Sequence, residues 1–208
     1  MNWVLVHKSK TDQPATGGYS DWKQQIASEC FFQCVYCAIH ESQFGGTINY
    51  HIDHFRPYSK FESLANDILN LFYACPICNR FKSDDWPGEP HLDQVSYPDP
   101  SKIDYNTLFD FDDRFNLLGL YVSARYIINR LFLNRGQLIF ERRETSLRSK
   151  GNELIKEIKS LVDQLAVIDT DDAFSILNQI DSIKNNLLGL EEYRRKIRPY
   201  EVIDIRKK

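Results

Sequence analysis

The clearest periodicity lies in the second half of the chain. From about Ser123, Tyr126, Ile127, Leu131 and Leu133 recur at helical spacing and predict a helix reaching Asn134, with Gly136 allowing a break. Leu138, Ile139, Leu147, Leu154, Ile155, Ile158, Leu161, Val162 and Leu165 carry the apolar stripe onward. A further helix is expected over about Asp172 to Leu188, built on Phe174, Leu177, Ile180, Ile183 and Leu187, with Gly189 as its C-cap. The first half reads differently. Met1 to Lys10, with Trp3, Val4, Leu5 and Val6, reads as a short strand or a docking arm, and Thr11 to Gly18 is loop. Ser20 or Asp21 is placed to cap a helix through about Cys30, with Trp22 and Ile26 turned inward. Tyr50 to Phe55 alternates and predicts a strand that Pro57 ends, with a turn at Gly45-Gly46 before it. Ser63 to Asn70 reads as a short helix or irregular loop, Leu71 to Ala74 as a second strand, and a helix follows Cys78. Four prolines make Trp86 to Lys102 a wrapping loop, and Phe109 to Asp113 an acidic hairpin or turn. The expected class is α+β, mainly helical, divided into a module over 1–100 with an N-terminal arm and helix, and a helical extension over 101–208 that packs on it or docks a partner.

Composition narrows the function classes. No apolar run approaches the roughly 20 residues of a membrane span, and Trp3-Val4-Leu5-Val6 is too short for a secretory signal, so a cytoplasmic location is expected. The net charge of -3 is low for a nucleic-acid binder and uneven: residues 1–100 carry 7 basic and 12 acidic side chains, residues 101–208 carry 19 and 17. Any hold on phosphate has to come from local patches or a partner.

Five cysteines in a chain without an export signal point to a metal rather than disulfides. Cys34-Val35-Tyr36-Cys37 and Cys75-Pro76-Ile77-Cys78 are two Cys-x-x-Cys turns, the pattern that closes an all-thiolate tetrahedral zinc site with no position left for substrate. The 37 residues between them leave room for a supersecondary unit. Cys30 is expected to be a small buried side chain outside the site. Inside the bracket stand Asp53-His54, Asn70 and Asn79, with Arg56, Arg80 and Lys82 placed to contact phosphates. His51 is expected on the strand surface or supporting the ligands from behind, ahead of direct ligation, and His7, His40 and His91 as solvent or core histidines.

Across Cys34 to Asp84 the sequence resembles the HNH family of ββα-metal nucleases in its zinc-containing, four-cysteine branch. Asn79-Arg80-x-Lys82-Ser83-Asp84 is also similar to the end of the HNH domain in the large CRISPR effector nuclease. The resemblance implies that Asp53 binds a catalytic divalent metal, that His54 is the general base, that Asn79 is the second metal ligand and that Asn70 orients His54. With Asn rather than His at position 79, the implied ion is Mg²⁺ or Mn²⁺. Leu131-Phe132-Leu133-Asn134-Arg135 and Glu141-Arg142-Arg143, taken with Asp53 to Pro57, resemble the small HNH proteins encoded beside an ATPase in Septu-type and retron-associated phage-defence systems. This second resemblance implies a nuclease effector acting on DNA or RNA with an ATPase partner. Arg142, Arg143 and Arg148 then read as a nucleic-acid-facing ridge or as solvated helix charges. A zinc-stabilised nucleic-acid-binding or adaptor module without catalysis is the alternative.

Overall fold

The structure, a computed structural model, describes residues 2–9, 18–165 and 170–196. The loop expected over Thr11 to Gly18 lies almost wholly outside them. The chain divides into two compact units, Met1–Leu138 and Ile139–Lys208, so the contacts part well after the expected boundary at residue 100. The class is mixed, with small antiparallel sheets among helices. Among the described residues no helix is long and apolar enough to cross a membrane.

In the first unit the N-terminal segment is an arm rather than a strand. Trp3 is buried, its indole donating to the Tyr36 carbonyl at 3.1 Å while its backbone exchanges hydrogen bonds with the Asn106 side chain. A 3₁₀ turn (Tyr19–Trp22) leads into helix α1 (Lys23–Glu29), with Trp22 and Ile26 inward as expected. Ser20 and Asp21 sit inside the turn instead of capping the helix, and Gly18 is its N-cap, without a side-chain hydrogen bond. The first Cys-x-x-Cys is the tip of a narrow turn: Cys34 N–H donates to the Ile39 carbonyl and Ala38 N–H to that of Cys34. Ala38 takes the left-handed φ of 55° that this tight reversal demands.

Strand β1 (His51–His54) pairs antiparallel with β2 (Leu71–Ala74), Asp53 opposite Phe72. Between them run only two 3₁₀ turns, Glu62–Leu64 and Ile68–Asn70. Helix α2 (Pro76–Lys82) begins earlier than expected, because Cys75 is its N-cap, accepting from Cys78 N–H at 3.3 Å, and Pro76 is preset for the first turn. The second pair of cysteines therefore sits on a helix start, and Cys78 belongs to its first turn.

Residues 85–104 wrap without helix or strand, yet Ser96, Tyr97 and Asp99 are buried. Strands β3 (Phe109–Phe111) and β4 (Leu117–Gly119) form the acidic hairpin, its turn held by Asp112, which accepts from Arg114 N–H and from Asn116. Helix α3 (Val122–Arg130) stops four residues short of the expected Asn134, whose side chain instead pairs with both backbone groups of Leu117. Gly136 opens the next helix, α4 (Gly136–Leu165).

Helix α5 (Thr170–Lys196) carries on through Gly189. An interior glycine costs about 1 kcal/mol. The turns beyond it make contacts that offset this cost: Arg194 pairs with Glu144 at 3.0 Å, and Arg143 lies over the Tyr193 ring. In this second unit Leu154, Ile158, Leu161 and Leu165 pack against Ile176, Ile180 and Ile183. Arg142 and Arg143 are 3% and 4% exposed, which removes both the ridge and the solvated reading for them, while Arg148 is exposed.

Asp85 joins three segments of the first unit. Its Oδ2 accepts from Tyr97 at 2.8 Å, from Arg130 Nε at 3.1 Å and from the Tyr126 hydroxyl. Partial burial pushes its pKa up, but these three donors outweigh burial and hold it below the ordinary carboxylate value. A group depressed in the folded state stabilises the fold above its unfolded pKa, and that contribution is lost as pH falls through the folded one. Asp85→Asn is expected to lower stability by about 1–3 kcal/mol at neutral pH, with the gap closing below about pH 4. Urea midpoints of the two proteins across that range check it.

Candidate active site and metal centre

Four sulfurs meet where the Cys34–Cys37 turn faces the end of β2 and the start of α2. Cys34, Cys37, Cys75 and Cys78 are all buried, with no disulfide, and their Sγ atoms lie within 4.8 Å of one another. Cys37 and Cys75 are 3.7 Å apart. A tetrahedron with metal–sulfur bonds of about 2.3 Å has edges of about 3.8 Å. Burial pushes the Cys34 and Cys78 thiols well up, so a cluster of four anions forms only around a cation. The donor set, spacing and enclosure fit a structural metal, with zinc the plausible ion. Cys30 is buried outside the cluster, its thiol pushed up to about 11 chiefly by burial.

The Asp-His pair separates as strand alternation requires. Asp53 turns inward and is 3% exposed. Its Oδ2 accepts from the Tyr36 hydroxyl at 2.5 Å and its Oδ1 pairs with Lys82 Nζ at 3.1 Å. Lys82 Nζ also donates to the His54 carbonyl at 2.7 Å. Lys82 is fully buried, and this corrects its expected role as a phosphate contact. Residues 80 and 82 point about 200° apart around a helix, so Arg80 faces out and Lys82 in. Tyr36, inside the first Cys-x-x-Cys, is a contributor that no sequence signal marked.

His54 is half-buried, its Nε2 3.0 Å from the Ala65 carbonyl. A carbonyl only accepts, so in the neutral ring Nε2 carries the hydrogen and Nδ1 keeps the lone pair. Tyr19 meets the ring edge-on at 4.7 Å and Tyr58 lies 6.2 Å away, both exposed and neither anticipated. Asn70 makes its side-chain hydrogen bonds to the loop after β1 and not to His54. Its Oδ1 accepts from Arg56 N–H at 2.8 Å and its Nδ2 donates to the Arg56 and Leu64 carbonyls, so it fixes the loop whose next residue, Ala65, holds the imidazole.

Asp53, His54, Asn79, Arg80 and Asp84 line one open cleft of about 510 Å³. Asn79 is half-buried and Arg80 exposed. The carboxylate of Asp53 and the amide oxygen of Asn79 are the hard donors that Mg²⁺ or Mn²⁺ takes, and each Asp53 oxygen retains a lone pair beyond its one hydrogen bond. Arg56 is held by Glu89 at 2.5 Å. His51 is exposed at the start of β1, and His7, His40 and His91 are exposed outside this cleft.

Cys75→Ser is expected to release the metal and unfold the first unit, since a structural zinc site contributes on the order of 10 kcal/mol to such folds. Elemental analysis and thermal melting read it; an unchanged melt would remove the metal assignment.

No match to a curated protein was found. Residues 34–85, a quarter of the chain, match the model of the HNH endonuclease family, and the matched stretch is the one that holds the four cysteines, β1, β2 and α2.

Proposed function

We propose that this chain is a metal-dependent endonuclease that hydrolyses phosphodiester bonds in DNA or RNA, with His54 as general base. The observation that carries the reading is the shared cleft of Asp53, His54 and Asn79, in which His54 has one ring nitrogen held by a carbonyl. The other, Nδ1, is left to take a proton from water. Asp53 and Asn79 would hold the divalent ion, which supplies positive charge for the developing phosphorane. Arg80 meets a flanking phosphate, and Arg56 does so by exchanging Glu89 for it. Asn70 positions the base through the Arg56–Ala65 loop.

At a finer level, the protein is the nuclease effector of an antiviral defence system, acting in the cytoplasm with an ATPase partner. Two observations support this: the resemblance carried by Leu131–Arg135 and Glu141–Arg143, and a net charge of -3 that leaves little general attraction for a polyanion. The competing reading, a zinc-stabilised binding or adaptor module, draws on one observation: both Asp53 oxygens already accept a hydrogen bond from the protein.

Plasmid and tRNA incubated with the protein in Mg²⁺ or Mn²⁺, with and without co-purified partner, decide between them. His54→Ala should keep its fold and metal content and lose about 10²–10⁴-fold in cleavage rate. Equal inactivity of both proteins with binding intact would favour the adaptor. Asp53→Ala is a poorer probe, because it leaves Lys82 charged and buried. A loss of about 3–5 kcal/mol in stability is expected there, measurable by denaturant titration, with Asp53→Ala, Lys82→Met recovering part of it.

A further inference from the structure

The turn between α3 and α4 sends one cation to the four-sulfur cluster. Arg135 Nη2 lies 3.6 Å from Cys37 Sγ, 3.9 Å from Cys75 Sγ and 3.9 Å from Cys78 Sγ, while Nη1 lies 3.8 Å from Cys78 Sγ and 3.3 Å from the Leu131 carbonyl. No carboxylate pairs with it among the described residues, and its Nε is buried without an acceptor. A guanidinium placed this way has thiolates as its counter-ions. Four thiolates around a divalent cation leave a net charge of -2, which in a buried site needs compensation from nearby donors. N–H···S bonds from an arginine fork provide both charge and direction.

We propose that Arg135 is the outer-sphere cation of the metal centre, so that metal retention and the seating of the 131–138 corner are one coupled event. The proposal rests on the four cysteines holding a metal. The corner is closed in the structure, with Leu131, Leu133 and Leu138 fully buried, and a metal on the thiolates would supply the compensation that keeps Arg135 seated there. With the metal gone the four sulfurs are no longer held together under the guanidinium, which keeps only the Leu131 and Phe132 carbonyls, and the corner opens to hydrate it. Coupling of this kind is reciprocal: whatever the metal adds to the closed corner, the closed corner adds to metal affinity.

The test uses the full-length protein. Elemental analysis comes first: absence of bound zinc sinks the metal reading itself. With zinc present, loss to a chromogenic chelator is timed for the parent, Arg135→Met and Arg135→Lys. Arg135→Met, similar in volume and uncharged, is expected to lower zinc affinity about 10–100-fold. Arg135→Lys should recover part of that loss by restoring charge without the fork. Equal retention in the parent and Arg135→Met overturns the proposal, as does a lysine variant no better than the methionine one. Should Arg135→Met fail to fold, hydrogen exchange on the parent decides. Zinc withdrawal is expected to deprotect 131–138 no later than the rest of the first unit, and protection of 131–138 that survives zinc withdrawal overturns the coupling.

Discussion

The folding of the site turns on four buried sulfurs. Two strands of four residues each and a seven-residue helix are all that carry Asp53, His54 and Asn79. An isolated two-stranded ribbon is marginal in water, and so is a helix of two turns. Cys75 and Cys78 sit where β2 gives way to α2, and Cys34 and Cys37 hold the facing turn, so an ion held by the four would fix strand end, helix start and turn in a single step. The same centre fixes Tyr36, and through its hydroxyl, Asp53. The four-sulfur cluster and the cleft are thus one construction: the sulfurs set the backbone, and the backbone sets the angle at which the carboxylate meets the cleft.

Around that frame the Asp-His pair divides its labour by strand geometry. Asp53 faces the interior, where Tyr36 and Lys82 each supply a donor, and its charge is balanced by a lysine that never meets solvent. His54 faces the other way, its ring held by Ala65 and bordered by Tyr19 and Tyr58. Lys82 links the two halves, touching the Asp53 carboxylate and the His54 carbonyl with one ammonium group. A buried ion pair adds little net stability over an apolar core, but breaking it is costly. Its value here is register: with Lys82 at the end of α2, sliding β1 by one residue would leave a buried charge alone.

How much of this was legible follows from range along the chain. The two Cys-x-x-Cys turns, the Leu71–Ala74 strand and the β3–β4 hairpin are encoded within a few residues, and reading them needed only spacing and alternation. Helix ends were less legible because local and tertiary preferences conflict: Gly189 reads as a stop, yet the turns beyond it gain Arg194 and Tyr193 contacts with residues some 50 positions away. Tyr36, Lys82 and Arg135 were illegible in their roles, since each acts across 17 to 98 residues and a lysine or arginine reads from sequence as a surface charge. Lys82 was open to correction by helix geometry alone, as it cannot share a face with Arg80.

The cleft's charge follows from the same partners. Of the three cations expected to meet phosphate, Lys82 is consumed by Asp53, Arg56 is held by Glu89 outside the cleft's lining, and Arg80 is exposed at the rim, with Asp84 in the same lining. Affinity for a polyanion grows with the number of phosphates neutralised, so a cleft with one unencumbered guanidinium among those three is suited to positioning a phosphate and poorly suited to capturing one. Chemistry and capture are then separate tasks on separate surfaces. That separation ties the proposed delivery by a partner to the proposed catalysis: cations committed to the interior, where they hold Asp53 and face the thiolates, are cations unavailable for gripping the substrate.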